Sequence, residues 1–332
     1  MRVPAGRTAT LLRTSIGLGL IAATFTFLGW SLASNWSDLR SEDIDIQPAL
    51  IVVSALPMIA AIILQAFIWR LVVSYLDSEA RLGLSQLPKA FLYSWVGRYV
   101  PGKVAYVAGR FFLGRTAGFP APVLVGSIAY ELALLTMAGA AFATLTLLPS
   151  IAIESETIWP YLALPAVAIA GLAALHPRVL RAVLQRGARL VGRDESFDWV
   201  LPQEHVLQLG LLYLVVFTLV GGSFCLLVVS ITSLSAEHVP LAAGGFALAG
   251  VVGLVSVVTP AGIGVREGVT VAVLQLVMPL ELAVLISLVA RVWATVIDLV
   301  IVGGVLAFDY VSGERLLMRA LRGDVEEPVE AG

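Results

Sequence analysis

Long apolar runs alternate with short polar stretches along the chain. The runs cover about residues 14–34, 48–76, 122–148, 158–175, 206–232 and 283–308. Runs of roughly 18 apolar residues or more are typical of helices that cross a lipid bilayer. The first run follows three arginines, as in a signal peptide, but it is too long for one and predicts an uncleaved helix. The pattern therefore predicts an all-α, polytopic transmembrane helix bundle.

The composition of the chain excludes an ordinary water-soluble domain. Of its 332 residues, 59% are hydrophobic and 13% are charged, which is more apolar than a soluble core requires. We expect a membrane domain over residues 1–313, a cytoplasmic tail over 314–332, and membrane lipids rather than nucleic acid as partners. The single cysteine, Cys225, and three scattered histidines form no metal-binding pattern, so neither a metal ion nor another cofactor is expected.

The charges of the loops predict the orientation of the chain. Lys and Arg exceed Asp and Glu between residues 77 and 120 and again at the start of the tail, whereas residues 35–47 are acidic. An excess of Lys and Arg marks the cytoplasmic side. We therefore expect a multi-pass protein of the cell membrane with both termini in the cytoplasm and an even number of crossings. Either the irregular stretch after Pro240 is a re-entrant hairpin and the spans number six, or both of its parts cross and they number eight.

A second cytoplasmic loop, residues 176–205, contains arginines that alternate with Val and Leu at helical spacing. This pattern predicts an amphipathic helix. One interpretation is a helix that lies on the inner leaflet, where its basic residues meet anionic head groups. The other is an ordinary helix of a cytosolic loop.

Two segments interrupt the apolar pattern with Pro and Gly. They are SWVGRYVPGKVAYVAGRFFLGR, residues 94–115, and VSVVTPAGIGVREG, residues 255–268. Pro removes a backbone donor and Gly permits a turn, so a helix should stop in each segment. Unpaired peptide groups cost several kcal/mol each in hydrocarbon, so this backbone must be buried in protein or line a wet cavity. The residues expected at the breaks are Pro101, Gly102, Pro260, Gly262 and Gly264.

The order of these parts divides the chain into two halves, about residues 10–150 and 156–308. Each half contains two spans, a broken segment and a further span or its equivalent. With six crossings in total, each half crosses an odd number of times, so the second half would be inverted relative to the first. Interrupted helices at corresponding positions of such a repeat are typical of a transporter's binding site near the midplane. The alternative is that the two breaks are unrelated kinks.

Charged residues also occur where lipid would surround an exposed side chain. Glu131, Arg291 and Asp298 lie within predicted spans, and each charge at a helix centre costs about 2.5 to 3.5 kcal/mol. These side chains must therefore face the protein interior. Glu131 should pair with Arg98 or with Arg110.

The broken segments add further charges to this set. Arg291 should pair with Asp298 or with Glu267. A surplus of cations beside Gly-rich backbone suits an anion such as a lipid phosphate, although a purely structural ion-pair network is the alternative. The candidate substrate-binding residues are Arg98, Pro101, Gly102, Lys103, Arg110, Glu131, Pro260, Gly262, Gly264, Arg266, Glu267, Arg291 and Asp298.

At the two broken segments the chain resembles the lysylphosphatidylglycerol synthase transmembrane (flippase-type) family. The resemblance rests on GRYVPGKVAYVAGR, residues 97–110, with the helix through Glu131, and on TPAGIGVREG, residues 259–268, with Arg291 downstream. It implies a multi-span, flippase-like module that moves aminoacylated or otherwise modified lipids between leaflets. The positions that match the family motifs are Arg98, Pro101, Gly102, Lys103, Arg110, Glu131, Pro260, Gly262, Gly264, Glu267 and Arg291.

The chain departs from the pattern of this family in two places. Glu131 is followed by Leu132 and by no nearby Asp, where the family often has Glu-Arg and then an Asp a few residues on. We also expect no aminoacyl-transfer domain after Gly313. Synthase activity is therefore not expected, and no residue is assigned a catalytic role.

Together these features predict a flippase-like membrane transporter, without a nucleotide motor, that moves an anionic or modified lipid between leaflets. The alternative is an accessory membrane scaffold for a partner, a lipid-modifying or cell-envelope enzyme, in which replacement of the arginines would be tolerated. A membrane-embedded glycosyl or acyl transferase would need an acidic metal-binding motif or a His-Asp pair near an interface, and the sequence has neither. The lipid, the driving force and the oligomeric state stay open.

Overall fold

The computed structural model describes residues 45–77, 84–99, 104–154, 162–190, 200–256 and 262–312, together with position 26. All regular structure in these ranges is helical, with no β-strand. The 3₁₀ helices Trp95–Tyr99 and Ala236–His238 accompany ten α-helices there. In chain order the α-helices are α1 Pro48–Leu76, α2 Leu87–Ser94, α3 Val104–Thr116, α4 Ala121–Glu154, α5 Ala163–Ala174, α6 Pro177–Leu190, α7 Gln203–Val229, α8 Val239–Val255, α9 Val265–Leu274 and α10 Leu280–Ser312.

Five of the described helices are long and apolar enough to cross a membrane: α1, α4, α7, α10, and α8 with the 3₁₀ helix before it. The 29 residues of α1 extend about 43 Å, more than the roughly 30 Å of the hydrocarbon core. The pair α5 and α6, bent by 72°, is a sixth candidate if the two form one span. The predicted polytopic helix bundle is thus confirmed. The predicted first span, 14–34, lies outside the described residues except for position 26.

The helix α4 lies at the centre of the bundle. It packs against α1, α5, α7 and α8, while α1 packs along α7. Gly244 of α8 lies so close to Thr146 and Leu147 of α4 that an added Cβ would collide with both side chains. Lipid is as apolar as the helices, so association of spans depends on close packing of this kind rather than on the hydrophobic effect.

The first broken segment is a helix, a break and a returning helix. α2 and the 3₁₀ helix Trp95–Tyr99 lead into the break, and α3 packs back against both. At Gly97 the two backbones touch, because an added Cβ would lie 2.5 Å from the amide nitrogen of Tyr106. The 13 residues of α3 extend only about 20 Å, too short to cross. Three predicted site residues, Pro101, Gly102 and Lys103, lie outside the described residues.

The second broken segment has the same plan. α8 ends at Val255, α9 begins at Val265, and the two helices pack against each other. The predicted turn glycines have positive φ angles, 69° at Gly262 and 88° at Gly264, which residues with a Cβ rarely adopt. Ten residues of α9 extend about 15 Å, half the membrane core, so α9 alone is too short to cross. Pro260 lies outside the described residues.

The amphipathic helix predicted in the second cytoplasmic loop is present as α6. Its arginines lie on the face opposite its Val and Leu residues. Leu180 packs against the protein, whereas Val179 and Val183 on the same apolar side are exposed. An exposed apolar strip beside basic residues suits a membrane surface, and binding to the inner leaflet stays a prediction.

Candidate functional site

A cavity of about 150 Å³ lies between the two broken segments and the spans around them. Both segments contribute to its wall with residues on each side of their breaks. Its polar lining consists of Gln65, Trp95, Arg98, Tyr106, Arg266, Arg291 and Asp298. The interrupted segments therefore border a polar hollow, as the cost of unpaired backbone in lipid predicts.

The rest of the cavity wall is apolar and comes from the long helices. α1, α4, α7 and α8 supply aliphatic and aromatic side chains and two glycines, and α10 supplies one alanine. These residues are Met58, Ile62, Leu135, Val216, Phe217, Val220, Gly250, Val251, Gly253, Leu254 and Ala294. The charged side chains of the wall therefore come from the broken segments and α10, and most of its apolar surface comes from α1, α4, α7 and α8.

Arg98 and Asp298 connect the first broken segment to α10. The Arg98 Nη1 and Asp298 Oδ2 atoms are 3.8 Å apart, and the indole Nε1–H of Trp95 donates to Asp298 Oδ1 at 2.7 Å. The guanidinium of Arg98 also stacks on the ring of Trp95, 4.5 Å from its centroid. Of the two arginines expected to pair with Glu131, Arg98 thus pairs with Asp298 instead. Of the two carboxylates expected to pair with Arg291, Glu267 forms the ion pair.

Arg110 and Glu131 form a fully buried ion pair that joins α3 to α4, as expected. The hydroxyl of Tyr106 contacts both side chains, and Arg110 Nε donates to Ser94 Oγ at 3.3 Å. The Arg110 guanidinium lies 3.9 Å from the centroid of the Phe91 ring. Neither member of this pair lines the described cavity, and only Tyr106 connects them to it.

Glu267 and Arg291 form the other expected pair, between α9 and α10. Arg291 Nη1 lies 3.6 Å from Glu267 Oε1. The second carboxylate oxygen, Oε2, accepts the Gly264 N–H at 2.6 Å, so Glu267 also caps the first turn of α9. Ser287 of α10 donates to the backbone carbonyl of Glu267 at 3.3 Å. The buried carboxylate of Glu267 thus both caps α9 and joins it to α10.

Arg266 is the cation of the cavity that forms no salt bridge within the described part of the chain. Among the described residues, no carboxylate lies within 4 Å of its guanidinium, which is 5.5 Å from the centroid of the Phe246 ring. The aliphatic part of its side chain lies against Gly253, where an added Cβ would be 2.9 Å from Arg266 Cδ. Among the described residues, Arg98, Arg266, Arg291 and Asp298 line the cavity, and Glu267 lies behind Arg291, so that these five charges sum to one positive charge.

Trp95, Tyr106, Phe246 and Gly253 are among the residues of this site that sequence reasoning missed. Trp95 and Tyr106 precede predicted site arginines by three and four residues, the spacing of neighbours on a helix face, so inspection of that spacing could have found them. Phe246 and Gly253 lie on a different helix from the arginine that they contact. No local pattern in the sequence indicates those contacts.

The fold and the cavity define a polytopic α-helical membrane protein whose interrupted segments surround an internal charged site. The family model described as the lysylphosphatidylglycerol synthase TM region matches residues 11–303, and the chain belongs to this family. Both sequence motifs, at 97–110 and 259–268, fall within the matched region. The family gives the chain a lipid-related membrane function, and the matched region is its non-catalytic membrane part. A search among curated proteins found no match.

Proposed function

We propose that this chain is a flippase-like transporter that moves an anionic or modified lipid between the leaflets of the cytoplasmic membrane, with both termini in the cytoplasm. The observation that carries the proposal is the shared cavity, bordered by both broken segments and surrounded by three arginines and two carboxylates. A single surplus positive charge in a low-dielectric site attracts an anion strongly.

The divided wall of the cavity supports a lipid as the substrate. A soluble anion needs only the charged part, whereas an amphiphile needs a polar region for its head group and apolar surface beside it. Ligand sites generally combine a mostly apolar lining with a few polar groups that fix orientation. Here Arg98, Arg266 and Arg291 are the polar groups, and the side chains of α1, α4, α7 and α8 are the apolar lining.

The two ion pairs support an inverted repeat with halves at about 10–150 and 156–308. In each half a short helix follows the break, and a buried Arg–Glu pair joins it to the long helix that comes next. In the first half Arg110 is on the short helix and Glu131 on the long one. In the second half the charges are exchanged, with Glu267 on the short helix and Arg291 on the long one. Such correspondence favours two related halves that move relative to each other around a common site.

Leaflet exchange in reconstituted vesicles tests this function. Phosphatidylglycerol with a fluorescent label would be incorporated in both leaflets, and loss of fluorescence after addition of a membrane-impermeant quencher would report the exchange rate. We expect faster exchange with the protein than in protein-free vesicles. The measurement would be made with and without an imposed membrane potential, since the driving force is open.

Gly250→Leu is the decisive variant because Gly250 lines the cavity and an added Cβ there meets no neighbouring atom. Its side chain should fill the cavity without disturbing the helices and reduce exchange to the protein-free rate. Gly222→Leu is the matched control, since Gly222 is exposed on α7 and is also free of close neighbours. Equal exchange by wild type, by Gly250→Leu and by protein-free vesicles would overturn the proposal.

A further inference from the structure

We propose that Arg266 binds the phosphate of the substrate's head group, and that the site selects head groups with one phosphodiester charge. This inference rests on the proposed function and adds to it the residue that recognises the substrate and the class of head group. Four observations carry it: the absence of a carboxylate partner, the support of the side chain, the charge of the site and the size of the cavity.

The ion pairs distinguish Arg266 from the other two arginines of the cavity. Arg98 is engaged by Asp298, and Arg291 by Glu267. Arg266 has no carboxylate within salt-bridge distance in the described part of the chain, although its charge lies in a cavity wall. A guanidinium offers several N–H donors in a planar fork that matches the oxygens of a phosphate. An anionic ligand would supply the partner that no described carboxylate supplies.

The side chain of Arg266 is held in position from two sides. The backbones of Gly253 and Gly262 approach so closely that an added Cβ on Gly262 would lie 2.8 Å from the Cα of Gly253, and the stem of Arg266 runs along both glycines. On the other side the guanidinium faces the ring of Phe246, which itself stacks on Phe224 with a centroid distance of 4.2 Å. A donor that is fixed before binding loses little conformational freedom when the ligand arrives.

The charge of the site indicates a monoanion. Of the described residues, three arginines and Asp298 in the cavity wall, with Glu267 paired to Arg291, leave one positive charge, which a phosphodiester neutralises. A phosphomonoester carries additional negative charge that would stay uncompensated in a low-dielectric site, and such burial is costly. An uncharged head group would leave Arg266 without a partner.

The volume of the cavity indicates that only the head group enters. Sites for drug-sized ligands usually measure about 300 to 1,000 Å³, whereas this cavity measures about 150 Å³. A phosphodiester with a small polar substituent is therefore the part of a lipid that fits here. The acyl chains of the substrate would stay outside this volume.

Three labelled lipids test the selectivity in the vesicle assay: phosphatidylglycerol with one phosphodiester charge, phosphatidic acid with a phosphomonoester, and an uncharged glycolipid. The wild type should exchange phosphatidylglycerol fastest. Arg266→Gln should reduce that rate about tenfold or more, as expected for loss of a charge-assisted hydrogen bond, and should abolish the preference over the glycolipid. Arg266→Lys keeps the charge but loses the planar fork, and an intermediate rate is expected.

Gly253→Ala displaces Arg266 without changing any charge, because the added methyl group would collide with its stem. Gly253→Ala should therefore lose the preference for phosphatidylglycerol over the glycolipid, as expected for Arg266→Gln. Gly268→Ala is the matched control. Gly268 is exposed, it follows Arg266 by two positions on α9, and an added Cβ there would meet no neighbouring atom. Correct folding of each variant would be verified by circular dichroism and by elution as a single species in detergent.

Binding is measured separately from transport as the rise in Tm of the detergent-purified protein with short-chain phosphatidylglycerol. A rise in Tm for the wild type but not for Arg266→Gln supports the inference on Arg266. If the two proteins show this difference in binding but neither exchanges lipid, the transport proposal fails and the inference on binding stands. If the wild type exchanges lipid and Arg266→Gln keeps both the rate and the preference for phosphatidylglycerol, the inference on Arg266 is overturned while transport stands. A wild type that exchanges phosphatidic acid or the glycolipid equally well overturns the selectivity.

Discussion

Removal of one member of the Arg110–Glu131 pair should destabilise the protein far more than removal of both. The side chains of Arg110 and Glu131 are 0% and 1% exposed, so Glu131→Leu leaves a buried cation without its anion. Loss of one partner of a buried pair costs about 3 to 5 kcal/mol, whereas replacement of both by apolar residues is often close to neutral. Arg110→Met with Glu131→Leu should therefore be more stable than the sum of the single changes predicts. The double variant also loses the contacts that the Tyr106 hydroxyl makes with both side chains, so its free energy of unfolding should be about 1 kcal/mol lower than that of the wild type.

The measurement is a double-mutant cycle on the free energy of unfolding, from titration of the purified protein with SDS followed by circular dichroism. The expected coupling energy between the two positions is about 3 kcal/mol. The Arg98–Asp298 pair is the internal reference, since its side chains are 26% and 8% exposed and 3.8 Å apart. Its coupling should be about 1 kcal/mol or less. Additive effects at Arg110 and Glu131, within about 0.5 kcal/mol, would refute the reasoning.

Two further substitutions test contacts beside the cavity. Trp95→Phe removes the indole N–H that donates to Asp298, and we expect the free energy of unfolding to fall by about 1 kcal/mol. Backbone amides next to Asp298 should also exchange hydrogen faster. An unchanged free energy of unfolding would contradict a role for that hydrogen bond. Gly262→Ala adds a Cβ at a φ of 69° and 2.8 Å from the Cα of Gly253, so a loss of about 1 to 3 kcal/mol is expected in the same titration. Gly268→Ala should be neutral, and an equal loss there would show that the effect is not local.

Much of the fold could be predicted from the sequence because the bilayer constrains it so strongly. The span predicted at 48–76 coincides with α1, and the breaks predicted at Gly262 and Gly264 are the turn before α9. Both predictions use only apolar length and the properties of Pro and Gly. The same energetics required the charged residues within spans to face inward, and Glu131 and Asp298 are indeed buried.

The partners of those charges were harder to predict, because pairing depends on how helices are arranged in space. Arg110 and Glu131 are 21 residues apart and their pairing was foreseen, whereas Trp95 and Arg98 reach Asp298 across about 200 positions. Helical spacing constrains contacts within one helix, and no corresponding rule connects distant helices. For the same reason the surroundings of Arg266 became apparent only in the structure.

The distribution of the ion pairs gives them different mechanical roles under the proposed repeat. Arg110–Glu131 and Glu267–Arg291 each join neighbouring helices within one half; the first pair is fully buried, and the second is mostly buried. Arg98–Asp298 joins the first half to the second, and it is longer and more exposed than either. Halves that move against each other must exchange contacts at their boundary while each keeps its internal structure. The pairs within the halves keep each short helix attached to the long helix that follows it. The Arg98–Asp298 pair at the boundary is partly solvated, so it can open at little cost in free energy when the halves move.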